Sequence, residues 1–208
     1  MRCMKLTHII PSAFEYFDDI RDRAFSWVEA LNNLGVEVDV FTLQYGGKPP
    51  ITVREEVATV APSRNYEKTA SVQAMTKIMA TKITRKEPEI IHLHTPFLGG
   101  GGEIFKFIKS RPNAHLVVTH HRPVKFVDLI SVYIYFYNRY YLPEFFTLAD
   151  AILLIEPKAA TREQTTKFGS KVYMLGLDKT TNPDYPHPLS PETVAENLII
   201  MYNELVGD

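Results

Sequence analysis

Four histidines stand at the ends of two apolar runs: His92 and His94 in Ile90-Ile91-His92-Leu93-His94, and His120 and His121 after Val117-Val118-Thr119. An imidazole can donate or accept a hydrogen bond near neutral pH, relay a proton, or bind a metal through a lone pair. Beside a polar ligand, such residues would orient it or assist bond cleavage. Gly99-Gly100-Gly101-Gly102 follow the first pair, and backbone amides at a helix start can hold an anion. The run follows an internal strand and has no closing Lys-Ser/Thr pair, so it is neither a Walker loop nor a G-x-G-x-x-G fingerprint. Its plainer use is a tight strand-to-helix connection. A zinc centre would need several converging ligands and a carboxylate behind them. Asp128 is the only acid close downstream of the histidines, so no metal is expected, and a metal-dependent hydrolase is the least supported reading.

The elements that must position these residues follow from hydrophobic spacing. Residues 6–11 read as a buried first strand with Pro11 and Ser12 as breakers. Ile20, Ala24, Trp27, Val28, Leu31 and Leu34 recur at helical spacing, and Gly35 stops that helix. Residues 36–43 form a second strand, Gly46-Gly47-Lys48-Pro49-Pro50 a turn, and a weaker strand lies within 51–60. A helix carries Val72, Met75, Ile78, Met79 and Ile83, and Pro88 precedes the strand 90–94. Beyond the glycines come a short helix around 104–108, a strand at 116–119 and a long aromatic helix over 127–148. A strand at 151–155, a helix at 158–168 and a last strand at 171–175 complete the alternation. The segment 180–191 holds four prolines and reads as a linker. Ser190 then caps a final helix, with Pro191 in its first turn and Glu192 at the positive end of the dipole.

Short apolar strands alternating with helices specify an α/β fold, a doubly wound, mostly parallel, Rossmann-like sheet of about six or seven strands. Ligands of such sheets bind beyond the carboxyl ends of the strands. Ser12, Thr95, His121 and Gly99 to Gly102 are therefore expected to line one depression there. His92 and His94 are read as facing opposite sides of the sheet, His92 towards packing and His94 towards the cleft. With 23 Lys and Arg against 24 Asp and Glu, nothing points to nucleic acid or a polybasic membrane patch. The single cysteine, Cys3, fits a reducing compartment. No long apolar run suggests a membrane span, and no signal peptide is legible, so the expected location is cytoplasmic.

The same residues carry a family resemblance. Pro88-Glu89-Ile90-Ile91-His92-Leu93-His94-Thr95-Pro96 resembles the D-x-I-H-x-H-x-P run of family-4 retaining glycosyltransferases. Val117-Val118-Thr119-His120-His121 resembles the family's strand ending V-T-x-H, and Leu148-Ala149-Asp150-Ala151-Ile152 its A-D-A-V-I entry. Gly176-Leu177-Asp178 is similar to its N-G-V-D, and Gly35-Val36-Glu37-Val38-Asp39-Val40-Phe41-Thr42 to its G-H-E-V-x-V-x-T. The resemblance covers roughly residues 4 to 178 and implies the acceptor-side half of a two-domain GT-B enzyme. Two departures stand out. The first loop reads Ser12-Ala13-Phe14-Glu15-Tyr16-Phe17-Asp18-Asp19 where the family carries a glycine pair. The donor-binding domain does not follow either, the proline-rich linker leading directly to Pro191-Glu192-Thr193-Val194-Ala195-Glu196.

The resemblance implies a Rossmann-like domain over 1–179, a linker over 180–191, and a helix over 192–208 that packs back on the domain or on a partner. It implies His121 as the catalytic contact to the transferred sugar. Ser12, His94, Thr95, Gly99, Gly100, Gly101, Gly102 and His120 are the expected substrate-binding residues, with no cofactor. The activity implied is transfer from a nucleotide-sugar to an acceptor, by the chain alone or with a partner supplying the donor site. Lys158 and Arg162 are conceivable diphosphate contacts. The alternative is a non-catalytic sugar- or partner-binding module. Residues 126–146 hold nine Phe or Tyr, more than one sheet face can absorb. Phe136 and Tyr140 are assigned to the core, leaving Tyr133, Tyr137 and Tyr141 for a homodimer contact. Lys125 and Arg139 give weak support to a peripheral membrane contact.

Overall fold

The computed structural model describes residues 4–10, 15–44, 55–59, 87–98, 100–155, 167–175, 177–178 and 187–207. Seven strands form one sheet: β1 (Leu6–Ile10), β2 (Val38–Gln44), β3 (Glu55–Thr59), β4 (Ile90–Thr95), β5 (His115–His120), β6 (Ala151–Leu154) and β7 (Val172–Met174). Their order is β3-β2-β1-β4-β5-β6-β7, and every neighbouring pair is parallel. The chain thus winds outwards in both directions from the β1–β4 pair, the switch point at which open sheets of this kind bind ligands. A two-stranded antiparallel ribbon, β8 (Leu177–Asp178) with β9 (His187–Pro188), lies outside the sheet.

Both faces are covered, which explains the near-continuous apolar strands. Side chains two apart on a strand share a face. Leu6, Ile10, Ile90, Val117, Ala151 and Leu153 therefore point to one core cluster, and Ile9, Ile91, Leu93, Leu116, Val118, Ile152 and Leu154 to the other. Helices α1 (Asp18–Asn33) and α4 (Pro191–Val206) close the first face. Helices α2 (Gly101–Lys109) and α3 (Leu129–Leu148) close the second.

Local sequence sets the helix ends. Leu34 caps α1, Gly35 follows at φ +84°, and the amides of Gly35 and Val36 reach the carbonyls of Asn32 and Leu31. That is a Schellman ending, and its left-handed residue is best served by glycine. Ser190 accepts from the Thr193 amide at 3.2 Å, and Pro191 opens α4. This helix buries Val194, Ala195, Leu198, Met201 and Tyr202. At roughly 1.5–3 kcal/mol per fully buried large apolar side chain, the docking of α4 is a major part of the first core.

Helix α3 departs from the expected phase. Its buried stripe is Ser131, Ile134, Asn138, Leu142, Phe145 and Phe146. Phe136 and Tyr140, expected inside, are 62% and 73% exposed, whereas Tyr137 and Tyr141 pack against the second core. The reason is that two polar residues hold core positions. Ser131 builds a capping box with Asp128, and Asn138 donates to Phe97 O (2.6 Å) and Ile134 O (2.8 Å) while accepting from Phe97 N (3.0 Å). A pattern read from apolarity alone cannot place them. The expected turn at 46–50 and the helix through Val72–Ile83 lie outside the described residues. So does nearly all of the expected 158–168 helix.

Candidate functional site

The polar side chains of the first face collect on the strands flanking the switch point. His8 comes from β1, His92 and His94 from β4, and Thr119 from β5, with His121 just beyond it. Parallel register sets His8 beside His92, and His94 beside Thr119. Trp27 of α1 stacks on His121 (ring centroids 5.3 Å apart, planes 20° apart), and α4 brings in Tyr202. His8, His92, His94, Thr119, His121 and Tyr202 are all 0% exposed.

These groups form one continuous hydrogen-bonded chain. Thr119 Oγ1 meets His92 Nε2 at 2.6 Å, and His92 Nδ1 meets the Tyr202 hydroxyl at 2.6 Å. The hydroxyl reaches His8 Nε2 at 3.3 Å, and His8 Nδ1 meets His94 Nε2 at 3.0 Å. His94 Nδ1 then meets His121 Nε2 at 2.9 Å. The chain ends on His121 Nδ1, the one buried side-chain polar atom without a partner among the described residues. Buried polar atoms are nearly always paired, so this one calls for an explanation.

The electrostatics keep the chain neutral. Burial lowers the pKa of His8 to about 3. Burial also holds His92 and His94 well below the ordinary imidazole range, helped by neighbouring imidazoles. For His121, burial comes first, then the charge of Arg23, then His120 and Arg122. Arg122 is committed elsewhere: its guanidinium bonds Asp19 at 2.7 Å and Tyr16 O at 2.6 Å and lies over the Tyr16 ring. Arg23 of α1 is half-buried and makes no side-chain hydrogen bond or ion pair among the described residues. Its charge is felt both at His121 and at Asp19.

Several expected placements are corrected. His92 and His94 do not face opposite sides. Residues two apart on a strand share a face, and their rings stack at 4.5 Å. His120 parts from His121: it lies on the α3 side, bonded to Thr95 Oγ1 at 2.9 Å and edge-on to Phe146. Thr95 points the same way and also donates to Thr119 O. Of the residues expected to line the depression, Ser12 and Gly99 lie outside the described residues, and the strand-end histidines and threonine are covered. His94, Thr95, His120 and His121 are at most 5% exposed, because the helices close over both faces.

The glycine run is used structurally. Gly100, at φ +76°, is the N-cap of α2, and the Gly101 amide donates to the Tyr137 hydroxyl at 2.6 Å. A Cβ on Gly101 would sit 2.7 Å from that oxygen and 2.9 Å from the Tyr141 ring. One of the amides expected to hold an anion is thus occupied, and Gly101 is needed for close approach. Gly102 is half-buried in the first turn of α2. Ser12, Gly99, Lys158 and Arg162 lie outside the described residues.

His8, His92 and His94 form the one metal-capable group found among the described residues, each offering a nitrogen within 4.8 Å of the others. The group lacks a carboxylate, and an ion would have to displace the hydrogen bonds that already engage those nitrogens. His8, Trp27, Arg23 and Tyr202 were not singled out for function from the sequence. His8 lies inside an apolar strand, and Tyr202 is separated from it by 194 residues. The signal that was available is the alternation itself, since His8 falls on the same face as Leu6 and Ile10.

No curated protein matches the chain by sequence. A family model described as Glycosyltransferase Family 4 matches residues 23–173, from α1 to β7. Among solved structures, a sucrose-phosphate synthase from Thermosynechococcus elongatus superposes with a TM-score of 0.55 at 13% identity, covering 97% of this chain and 98% of that one. A UDP-GlcNAc 2-epimerase from Methanocaldococcus jannaschii gives a TM-score of 0.50 at 11% identity, covering 83% of this chain and 45% of that one. At such identities the likeness concerns the fold. Among the described residues, no helix is long and apolar enough to cross a membrane.

Proposed function

The chain belongs to glycosyltransferase family 4, and on that footing we propose that it serves sugar transfer from a nucleotide-sugar to an acceptor as the acceptor-side half of the catalytic unit. The observation that carries this reading is His121 Nδ1, unpartnered at the end of a neutral imidazole chain beside the switch point. A neutral imidazole there can hydrogen-bond a sugar hydroxyl without adding a charge. Arg23, whose charge reaches His121, supplies the cation that a departing diphosphate requires. The donor half would come from a partner chain or domain. His94 acts behind His121 as its hydrogen-bond support, while Thr95 and His120 brace the opposite face.

Because His121 is buried, ligand contact requires the cover above it to open, so binding is coupled to a structural change. Trp27, stacked on His121 and the only tryptophan of the chain, reports that change by fluorescence. The test is a panel of nucleotide-sugars, first titrated against Trp27 emission and then assayed for transfer or hydrolysis by mass spectrometry. Binding with turnover is expected, with His121→Ala lowering the rate by about 10²-fold. Binding without turnover, alone and with donor-domain partners, would leave a non-catalytic sugar-binding module. Absence of binding would reject both.

A further inference from the structure

What His121 can do for a ligand depends on whether its Nδ1 carries a proton or a lone pair. We propose that Thr119 and Tyr202 are positioning residues that fix this choice, setting every imidazole of the buried chain in one tautomer so that His121 presents an N–H donor. The consequence for sugar binding rests on the reading of His121 given above; the tautomer itself does not.

The geometry decides the polarity by proton counting. Six groups, Thr119, His92, Tyr202, His8, His94 and His121, are joined by five hydrogen bonds. A neutral imidazole has one N–H and one lone pair, and each hydroxyl has one proton. Five of the six protons are therefore used in the links, and the sixth remains at one end or on Tyr202. The last case has the Tyr202 oxygen accepting from both neighbours, which strands its own buried proton as well as the His121 lone pair and is disfavoured. In one direction Thr119 donates to His92, His92 to Tyr202, Tyr202 to His8, His8 to His94 and His94 to His121. The leftover proton is then on His121 Nδ1. In the other direction every link reverses, and the leftover proton is on the Thr119 hydroxyl.

The two directions differ in what they strand. The Thr119 hydroxyl has no hydrogen-bond partner besides His92 Nε2 among the described residues. Reversal leaves that buried hydroxyl without an acceptor among the described residues and also leaves a bare lone pair on His121. The forward direction leaves only the His121 N–H unpaired. Unpaired buried polar groups are costly, so the forward direction wins. All four imidazoles then carry hydrogen on Nδ1, and the ligand atom that completes the chain is an oxygen acceptor, a sugar hydroxyl or a phosphate oxygen. His121 orients and polarises; it does not take a proton.

Tyr202 is the one link supplied by a helix, and neither it nor His8 lies within residues 23–173 that match the family. Without its hydroxyl the chain divides. His8, His94 and His121 would then share three protons over two hydrogen bonds, with nothing at the His8 end to choose a direction.

The test is long-range ¹H–¹⁵N correlation on the full chain labelled at histidine, at pH 7.5. In the wild type, His8, His92, His94 and His121 are expected to show protonated Nδ1 and bare Nε2. At His121 the Nδ1–H form should dominate by about tenfold or more. In Tyr202→Phe and in Thr119→Val the two forms of His121 should become comparable, a shift that a purely structural role would not produce. Nε2–H on His121 in the wild type would overturn the proposal. So would an unchanged His121 signal in a folded Tyr202→Phe or Thr119→Val chain. If Tyr202→Phe does not fold, the wild-type and Thr119→Val spectra still decide. None of these signals depends on turnover, so a chain with the expected tautomers and no transferase activity would fail the functional reading alone.

Discussion

Lowering the pH should unfold this protein in a window set by histidine rather than by carboxylates. His8, His92, His94 and His121 are buried neutral, with pKa values below the ordinary 6.5, that of His8 at about 3. Above 6.5 neither the folded nor the unfolded chain protonates them, and their contribution to stability is fully present. Below 6.5 the unfolded chain takes up protons that the folded one refuses, so stability is lost as pH falls towards the folded values. Between pH 7.5 and 5.5 an imidazole held at about 3, as His8 is, costs on the order of 1 kcal/mol, and four imidazoles kept neutral in this way roughly 5 kcal/mol. That equals the lower end of the stability of a typical domain, about 5–15 kcal/mol. Ordinary carboxylates titrate near 4, so this window belongs to the imidazoles. Urea unfolding followed by Trp27 emission at stepped pH measures it. The slope near pH 5.5 should correspond to between three and four protons taken up on unfolding, roughly 0.9 per imidazole. His8→Gln should remove about one of them. A stability flat to within about 1 kcal/mol from pH 7.5 to 5.5 would mean that the histidines are not buried neutral, and the imidazole chain would have to be abandoned.

Three further outcomes are expected. Asn138→Leu strands the amide and carbonyl of Phe97 and should cost roughly 2–4 kcal/mol in denaturant unfolding; a loss within 0.5 kcal/mol, about the size of a neutral surface change, would show that the turn after β4 does not need it. Gly101→Ala drives a methyl into Tyr137 and Tyr141, with an expected loss of about 1–3 kcal/mol by the same assay, and an unchanged midpoint would mean that the tyrosines yield freely. The apolar exposure of Phe126, Val127, Leu129, Tyr133, Phe136 and Tyr140 leads us to expect a homodimer at micromolar concentration, dissociated by Phe136→Glu; a wild-type monomer in sedimentation equilibrium would dismiss it.

Much of the fold was legible because it rests on short-range rules. Gly35 after an apolar stripe, Ser190-Pro191 before another, and nearly unbroken apolar strands each specify an element with little help from distant residues. His94 and His121 were found because both lie at the carboxyl ends of strands. The rest depended on which distant side chains share a face. His8 looks like one more buried strand residue until register sets it beside His92. Tyr202 enters through helix docking, which no local pattern encodes. The aromatic helix was misphased because Ser131 and Asn138 take core positions that apolar counting awards to Phe136 and Tyr140.

The bond between Tyr202 and His8 also bears on how the protein is made. His8 leaves the ribosome 194 residues ahead of its partner. During that interval the strands can pair, yet their first face lacks α4 and its histidines lack the hydroxyl that joins them. At translation rates of about 5–20 residues per second, the delay is on the order of ten seconds or more. A nascent chain stopped before α4 would hold the histidines with their chain broken and the first core face covered by α1 alone. Completion of the site is thereby tied to completion of the core. Chains interrupted upstream of α4 keep part of the first sheet face exposed, and partly uncovered apolar surface of that kind is prone to association.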